Sequence, residues 1–302
     1  MPALYARNTL QRADQTPFMN LYPAPAKLNL FLHVVGRRPD GYHLLQSVFR
    51  FLDYGDSLDI QVRQDGEIRL LSPLPGIAPE QDLCWRAARL LQAHCGCHRS
   101  CLLGADIRLI KRLPLGGGLG GGSSDAATVL LALNRLWRLD LPRSTLRELA
   151  LRLGADVPVF VFGHSAFAEG IGEILTPWTP APASYLVLIP PVQVSTPCIF
   201  ADPGLTRNTP SVRIAGLLNG YGHNDLEPIA CAQHPVVADY LVWLKAYGDA
   251  RMTGSGACVF VAFSERALAV AALARIRGEH GDQVEGFVAD GLDQHPLHAF
   301  AD

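Results

Sequence analysis

The sequence predicts an α+β protein folded in two lobes, and three observations predict it. Strand-like and helix-like periodicities interleave in both halves of the 302 residues. Pro177, Pro180 and Pro182 interrupt both periodicities across residues 176–184 and mark a boundary. A glycine-rich stretch, 114–124, lies between a strand pattern and a helix pattern in the first half. The expected division is an extension at 1–20, a first lobe at 21–176 and a second at 184–302.

Residues 24–35 set Leu28, Leu30 and Leu32 against Asn29, Phe31 and His33, a strand pattern, and the run 37–41 (Arg-Arg-Pro-Asp-Gly) reads as a turn. Strand patterns follow at 44–52, 57–63 and 68–71, separated by turn signals, so the chain opens as a sheet of hairpins. Helical periodicity covers 83–93 and a strand covers 105–111. After the glycine stretch, a helix over 124–137 carries Val129, Leu130, Leu133, Leu136 and Trp137 on a broad apolar face, as a helix lying on a sheet requires. Thr145 and Glu148 form a capping box for a helix ending near Gly154. Pro158 leaves the apolar element at 156–163 open between a turn and a helix start. The second half begins with a strand at 185–189 and passes through a loop rich in Pro, Gly and Asn at 203–224. Helices at 226–232 and 236–247, a strand at 257–263 and a helix at 265–277 follow.

Composition excludes several classes of function. With 49% apolar and 18% charged residues the chain can bury two cores, and a net charge of -2 gives no field to gather nucleic acid. The longest apolar runs, such as 185–192, reach about eight residues, against the ~20 that a membrane helix needs. Residues 1–19 carry Arg7, Arg12 and Asp14 and no continuous apolar run, so no secretory signal is expected there. The odd count of 7 cysteines fits a reduced, cytoplasmic protein. Cys95, Cys97 and Cys101, with His94 and His98, offer donors for zinc, but C-x-C-x3-C lacks the usual knuckle spacing, and thiols at a helix end are the expectation.

The stretch Pro114-Leu115-Gly116-Gly117-Gly118-Leu119-Gly120-Gly121-Gly122-Ser123-Ser124 is the sharpest local signal. Six glycines remove every Cβ from a tight bend, which lets successive N–H groups converge on an anion at the positive end of a helix. A Walker A loop is disfavoured because Ser123 stands where its lysine would be. A dinucleotide fingerprint is disfavoured as well, since no acidic residue follows at the required distance in a strand. Ser123 and Ser124 either cap the helix or touch phosphate and metal.

Other residues carry two readings each. Lys27, the one cation in 24–35, is either a solvated strand residue or an active-site cation, and Asp156 is either a helix cap or a base. A kinase uses such a pair, with the aspartate taking the hydroxyl proton and the lysine stabilising developing negative charge. Asn29, Tyr42 and His43 supply the amide, aromatic and imidazole groups that a nucleobase pocket needs, or else cap a hairpin. The loop 252–258 (Met-Thr-Gly-Ser-Gly-Ala-Cys) either brings N–H groups to a second phosphate face or is a simple turn.

Taken together these stretches resemble the GHMP kinase superfamily, over about residues 24–300. Residues 25–30 (PAKLNL) and 38–43 (RPDGYH) are most similar to the branch whose acceptor is a cytidine-diphosphate-linked methylerythritol. The central loop resembles the superfamily's phosphate loop, and 153–158 (LGADVP) its aspartate motif. Gly163-His164, 168–170, Pro197, Phe200, 208–210, 224–227 and 252–258 extend the similarity. The resemblance implies an N-terminal nucleotide-binding lobe, ribosomal protein S5 domain 2-like, a C-terminal ferredoxin-like α/β lobe, and reaction in the cleft between them. It implies that Lys27 and Asp156 are the catalytic pair. It assigns ATP to Pro114, Leu115, Gly116, Gly117, Gly118, Leu119, Gly120, Gly121, Gly122, Ser123 and Ser124, with Lys111 either near the nucleotide or solvated at a strand end. Asn29, Thr196 and the group Tyr42, His43 and Phe200 would bind the acceptor, His43 reading the base edge and the two aromatic rings sandwiching the base. Thr253, Gly254, Ser255 and Gly256 would form a second phosphate loop. Mg²⁺ would be held by phosphate oxygens and water, with Ser123 or Ser124 as the protein contributor and no fixed protein metal ligand. A cytoplasmic monomer or homodimer acting on a small molecule, with no nucleic-acid or membrane partner, follows. The rivals are a homoserine- or mevalonate-type kinase of the same superfamily and a catalytically silent nucleotide-binding regulator.

Overall fold

The computed structural model describes residues 21–96, 102–214, 216 and 222–301. The expected extension 1–20, together with Cys97 and Cys101 of the cysteine cluster, lies outside the described residues. The first half contains β1 (Leu21–Arg37), β2 (His43–Arg63), β3 (Ile68–Leu70), α1 (Leu83–His94), β4 (Gly104–Ile110), α2 (Gly121–Leu136), α3 (Arg143–Leu153), α4 (Val157–Phe162), β5 (Ala166–Glu169) and β6 (Ile174–Pro177). The second half contains β7 (Ser184–Leu188), α5 (Thr196–Ala201), α6 (Glu227–Gln233), α7 (Pro235–Lys245), β8 (Arg251–Met252), β9 (Val259–Phe263), α8 (Arg266–His280) and β10 (Gly286–Leu292). Among the described residues no helix is long and apolar enough to cross a membrane.

The long antiparallel pair of β1 and β2 organises the first half, in a register running from Leu21 opposite Asp59 to Arg37 opposite His43. Residues 24–34 of β1 are all buried, so the strand is packed on both faces. The two strands expected at 44–52 and 57–63 are one strand of 21 residues. Gly55 resembles a turn signal, but its glycine answers a different need. A Cβ there would stand 2.2 Å from the Ala24 carbonyl oxygen on the neighbouring strand, so only glycine admits that approach.

The strands run in the order β3-β4-β2-β10-β7-β9-β8, with β1 and β5 also on β2 and β6 on β5. β10 joins the halves: Gly286 to Asp290 pair with β7, while Gly291 and Leu292 pair with Leu52 and Phe51 of β2. Under the first-half helices lies a core of Phe51, Leu58, Ile60, Leu91, Ile107, Leu130, Leu133 and Phe160, which Leu297 and Ala301 also join as the chain returns. A second core gathers Leu186, Leu188, Val237, Leu241, Val259 and Ile276 with Leu32 and Val34 of β1. A third includes Leu28, Phe31, Leu52, Tyr185, Val187 and Phe260, drawn from β1, β2, β7 and β9. Each wholly buried Leu or Phe contributes roughly 1.5–3 kcal/mol.

Thr209, within the loop expected at 203–224, and Asp225, just after it, are tied to β1. The Asp225 carboxylate accepts from Val34 N at 2.6 Å and from Thr209 Oγ1 at 2.7 Å, and Thr209 N donates to the Val34 carbonyl.

Candidate active site

Strand alternation puts Lys27 and Asn29 on one face of β1, with Leu28 and Leu30 on the other. Lys27 is 2% exposed, which excludes the solvated reading, and its Nζ donates to Asn29 Oδ1 at 2.5 Å. Asn29 is itself held at both ends: Nδ2 donates to Ser47 Oγ at 2.8 Å, and its backbone N donates to Thr253 Oγ1 at 3.0 Å. The second partner of the ammonium is Asp156 Oδ2, at 3.4 Å. Asp156 stands at the N-cap position of α4, yet its side chain makes no capping bond. Its carboxylate faces Lys27 instead and remains 41% exposed, available to a ligand. Burying an ammonium is costly unless it is paired, and the Asn29–Asp156 arrangement meets that cost at the point where chemistry can use the charge.

The glycine loop lies over this group. Lys27 N donates to the Leu119 carbonyl at 2.9 Å, and Leu113 and Leu119 anchor the loop in apolar surroundings. Gly116, Gly118 and Gly120 have φ of 72°, 77° and 72°, the left-handed region. At Gly118 a Cβ would stand 2.1 Å from the Thr253 carbonyl oxygen, so the two glycine loops touch backbone to backbone. α2 begins directly after Gly120, which has no side chain to cap it. The first-turn N–H groups of Gly121, Gly122 and Ser123 therefore remain for an anion, at the positive end of a helix 16 residues long.

A cavity of about 930 Å³ joins these parts. Lys27, Asn29, Asp156, Lys111, residues 114–123, Thr196, Phe200, Tyr42, His43, Gly254 and Ser255 all line it. Three expected residues do not. Ser124 is wholly buried behind the loop, and its Oγ has no partner among the described residues. Thr253 is also wholly buried and buttresses instead, donating to the Gly118 carbonyl at 3.4 Å while accepting from Asn29 N. Gly256 packs against Met252, whose Sδ a Cβ there would approach to 2.7 Å.

Lys111 is not the solvated strand-end residue that one reading made it. Its Nζ donates to Asp56 Oδ2 at 2.6 Å and to Asp125 Oδ2 at 2.8 Å. Burial alone would lower the Lys111 pKa, but the two carboxylates outweigh it and hold it up. Burial pushes Asp125 up to about 7, with Lys111 opposing and Asp56 reinforcing. Asp56 Oδ1 also accepts from Arg112 N and Leu113 N, so this cluster pins the start of the glycine loop to β2.

At the other end of the cavity His43, the first residue of β2, stacks on Phe200 of α5 with ring centroids 4.9 Å apart. Arg207 Nε donates to His43 Nε2 at 3.1 Å. Burial, then Arg207 and Arg37, pull the His43 pKa down. Tyr42 is 60% exposed at the rim of the same cavity. Thr196 Oγ1 lies 2.5 Å from Ser255 Oγ, closing the wall between α5 and the second glycine loop.

Sequence reasoning did not reach Asp56, Asp125, Ser47 or Arg207. Asp125 adjoins the loop and could have been included, whereas Asp56 lay within an apparent turn and Arg207 within an apparent loop.

The sequence matches the family model of the GHMP kinases N terminal domain over residues 82–164 and that of GHMP kinases C terminal over residues 212–283. A 4-diphosphocytidyl-2-C-methyl-D-erythritol kinase of Thiobacillus denitrificans is 60% identical over 279 residues, covering 92% of this chain and 98% of its own. One of the same name from Nitrosospira multiformis is 58% identical, covering 93% and 94%. Among solved structures, a 4-(cytidine 5'-diphospho)-2C-methyl-D-erythritol kinase superposes with a TM-score of 0.76 at 32% identity, over 90% of this chain and 99% of that one. The mevalonate kinase of Methanococcus jannaschii shares the fold, with a TM-score of 0.64 at 14% identity over 92% and 99% of the two chains. The chain belongs to the GHMP kinases, and is by that membership a small-molecule phosphotransferase that uses ATP.

Proposed function

We propose that this chain transfers the γ-phosphoryl group of ATP to the 2-hydroxyl of 4-diphosphocytidyl-2-C-methyl-D-erythritol, yielding ADP and the 2-phosphate, in the non-mevalonate route to isoprenoid precursors. The observation that carries this reading is one cavity shared by the buried Lys27–Asn29–Asp156 group, the glycine loop and the His43–Phe200 stack. The names of relatives at 60% and 58% identity support the choice of acceptor.

In this reading Asp156 Oδ2 accepts the proton of the acceptor hydroxyl. The freed oxygen forms a bond to the γ-phosphorus, the bond from that phosphorus to the β–γ bridging oxygen breaks, and the electron pair leaves with ADP. Lys27, oriented by Asn29, sets its charge beside the oxygen that becomes negative. The N–H groups of the glycine loop and of the start of α2 hold the phosphates, and water is kept from the γ-phosphoryl by the walls at Phe49, Leu119 and Ala168. Among the described residues no group of three His, Cys, Asp or Glu could hold a metal ion. In this reading a Mg²⁺ ion would be carried by the nucleotide and neutralise phosphate charge, with Ser123 at the cavity wall as its protein contributor. A cytoplasmic monomer or homodimer without a nucleic-acid partner belongs to the same reading.

A kinase with a homoserine or mevalonate acceptor is the alternative, and the His43–Phe200 stack weighs against it, because such acceptors have no base to recognise. A silent regulator is disfavoured by the 3.4 Å approach of Lys27 to Asp156. The test is Mg²⁺-ATP-dependent ADP release with the cytidine compound, homoserine and mevalonate in parallel. Turnover confined to the cytidine compound is expected, and turnover on another acceptor only would overturn the assignment.

A further inference from the structure

Arg207 lies outside the cavity, behind His43, and its guanidinium is held by three carbonyls: Leu205 at 3.0 Å, Phe200 at 3.0 Å and Asp202 at 2.7 Å. A further donor, Nε–H, points to His43 Nε2 at 3.1 Å. A guanidinium can only donate, so Nε2 must present its lone pair, and a neutral His43 then carries its proton on Nδ1. Among the described residues no acceptor is found for that proton, and His43 lines the cavity. Phe200 covers the ring face, while Arg207 holds its edge.

The geometry points to Arg207 as the residue that sets base specificity, by locking His43 in the Nδ1–H tautomer and so presenting a hydrogen-bond donor, never an acceptor, to the pyrimidine of the acceptor substrate. This deepens the proposed function and rests on it for the nature of the substrate. Cytosine N3 is an acceptor and pairs with such a donor, whereas uracil N3 carries a hydrogen and leaves both groups unpaired. A His43 free to exchange tautomers could serve either base. The charged groups facing His43 also oppose its protonation. Arg207 approaches from the segment after α5 and Arg37 from the end of β1. The nearby acids are otherwise engaged, Asp40 with Arg38 and Asp202 with Gly204 N and Gln233.

Arg207 is thus a positioning residue, and its test reads the imidazole directly. Histidine ¹⁵N spectra of the full chain, with His43 assigned by His43→Gln, are recorded from pH 6 to 8 in wild type, Arg207→Met and Arg207→Lys. Wild type is expected to show a single Nδ1–H tautomer across this range. Arg207→Met should show mixed tautomers and a raised titration midpoint, with the lysine variant restoring part of the wild-type signal. In parallel, the ratio of kcat/KM for the cytidine-linked over the uridine-linked acceptor should fall about tenfold to hundredfold in Arg207→Met, through KM with kcat nearly unchanged. An Nε2–H signal in wild type overturns the inference. So does an Arg207→Met protein that is less stable yet keeps the tautomer and the base preference, since that is the mark of a residue that only braces the 200–207 segment. The spectra need no substrate, so a wild type that ignores the cytidine compound would refute the proposed function without obscuring the tautomer result.

Discussion

Replacing Gly118 with alanine tests whether the phosphate loop depends on contact with the second glycine loop. Gly118 has φ +77°, and an added Cβ would stand 2.1 Å from the Thr253 carbonyl oxygen and 3.1 Å from its carbon. The left-handed conformation alone costs an L side chain about 1–2 kcal/mol. Gly116, with φ +72° and nothing within 4 Å of a Cβ among the described residues, carries only that term. At Gly118 the obstacle is backbone, so no rotamer relieves it, and one loop must move away. Overpacking of this kind adds about 1–3 kcal/mol. Gly118→Ala should therefore lose about 2–5 kcal/mol and Gly116→Ala about 1–2 kcal/mol. At roughly 2 °C per kcal/mol for a chain of this size, their melting temperatures should differ by several degrees. The displaced loop should also raise KM for ATP, by about tenfold, in Gly118→Ala and much less in Gly116→Ala. Calorimetry and ADP-release kinetics check both. Equal melting temperatures and equal KM in the two variants would refute the argument that the loops support each other.

Lys27→Met should keep its fold, because Asp156 is 41% exposed and is not stranded as a buried charge, while kcat falls by about 10²–10³. Circular dichroism with single-turnover kinetics checks it, and retained activity would remove Lys27 from the mechanism. His295 gives a pH dependence. Burial, then Arg143 and His298, pull its pKa down to about 3, so the unfolded chain takes up this proton near pH 6.5 and the folded chain does not. Stability present above pH 6.5 is then lost as pH falls toward 3, by at most about 1.4 kcal/mol per unit. His295→Gln should flatten that acid limb in urea titrations between pH 4 and 7, and an unchanged slope would contradict the assignment.

Much of the site was legible because local chemistry announced it. Six glycines between a strand and a helix have few uses, and the Lys27–Asn29 spacing reads directly as one strand face. What the sequence left open were choices that only tertiary packing makes. Lys27 is buried because β1 is covered on both faces, and Asp156 leaves the helix cap because Lys27 stands opposite. Gly55 serves a close approach that turn rules cannot see, so one strand was read as two. β5, β6 and β10 were not read at all: the first two are only four residues long, and β10 holds Asp290 and Gly291 within its span. Thr253 and Ser124 bear hydroxyls in glycine-rich loops and so looked like ligand contacts. Both are completely buried, and Thr253 serves as an internal strut between the two loops.

The most direct test of the account is ADP release from Mg²⁺-ATP with 4-diphosphocytidyl-2-C-methyl-D-erythritol, comparing wild type with Asp156→Asn. The substitution keeps the size of the side chain 3.4 Å from Lys27 and removes its ability to take a proton. The account predicts turnover in wild type and a fall in kcat of about 10²–10⁴ in the variant, with ATP still bound. Turnover by Asp156→Asn at the wild-type rate would contradict it.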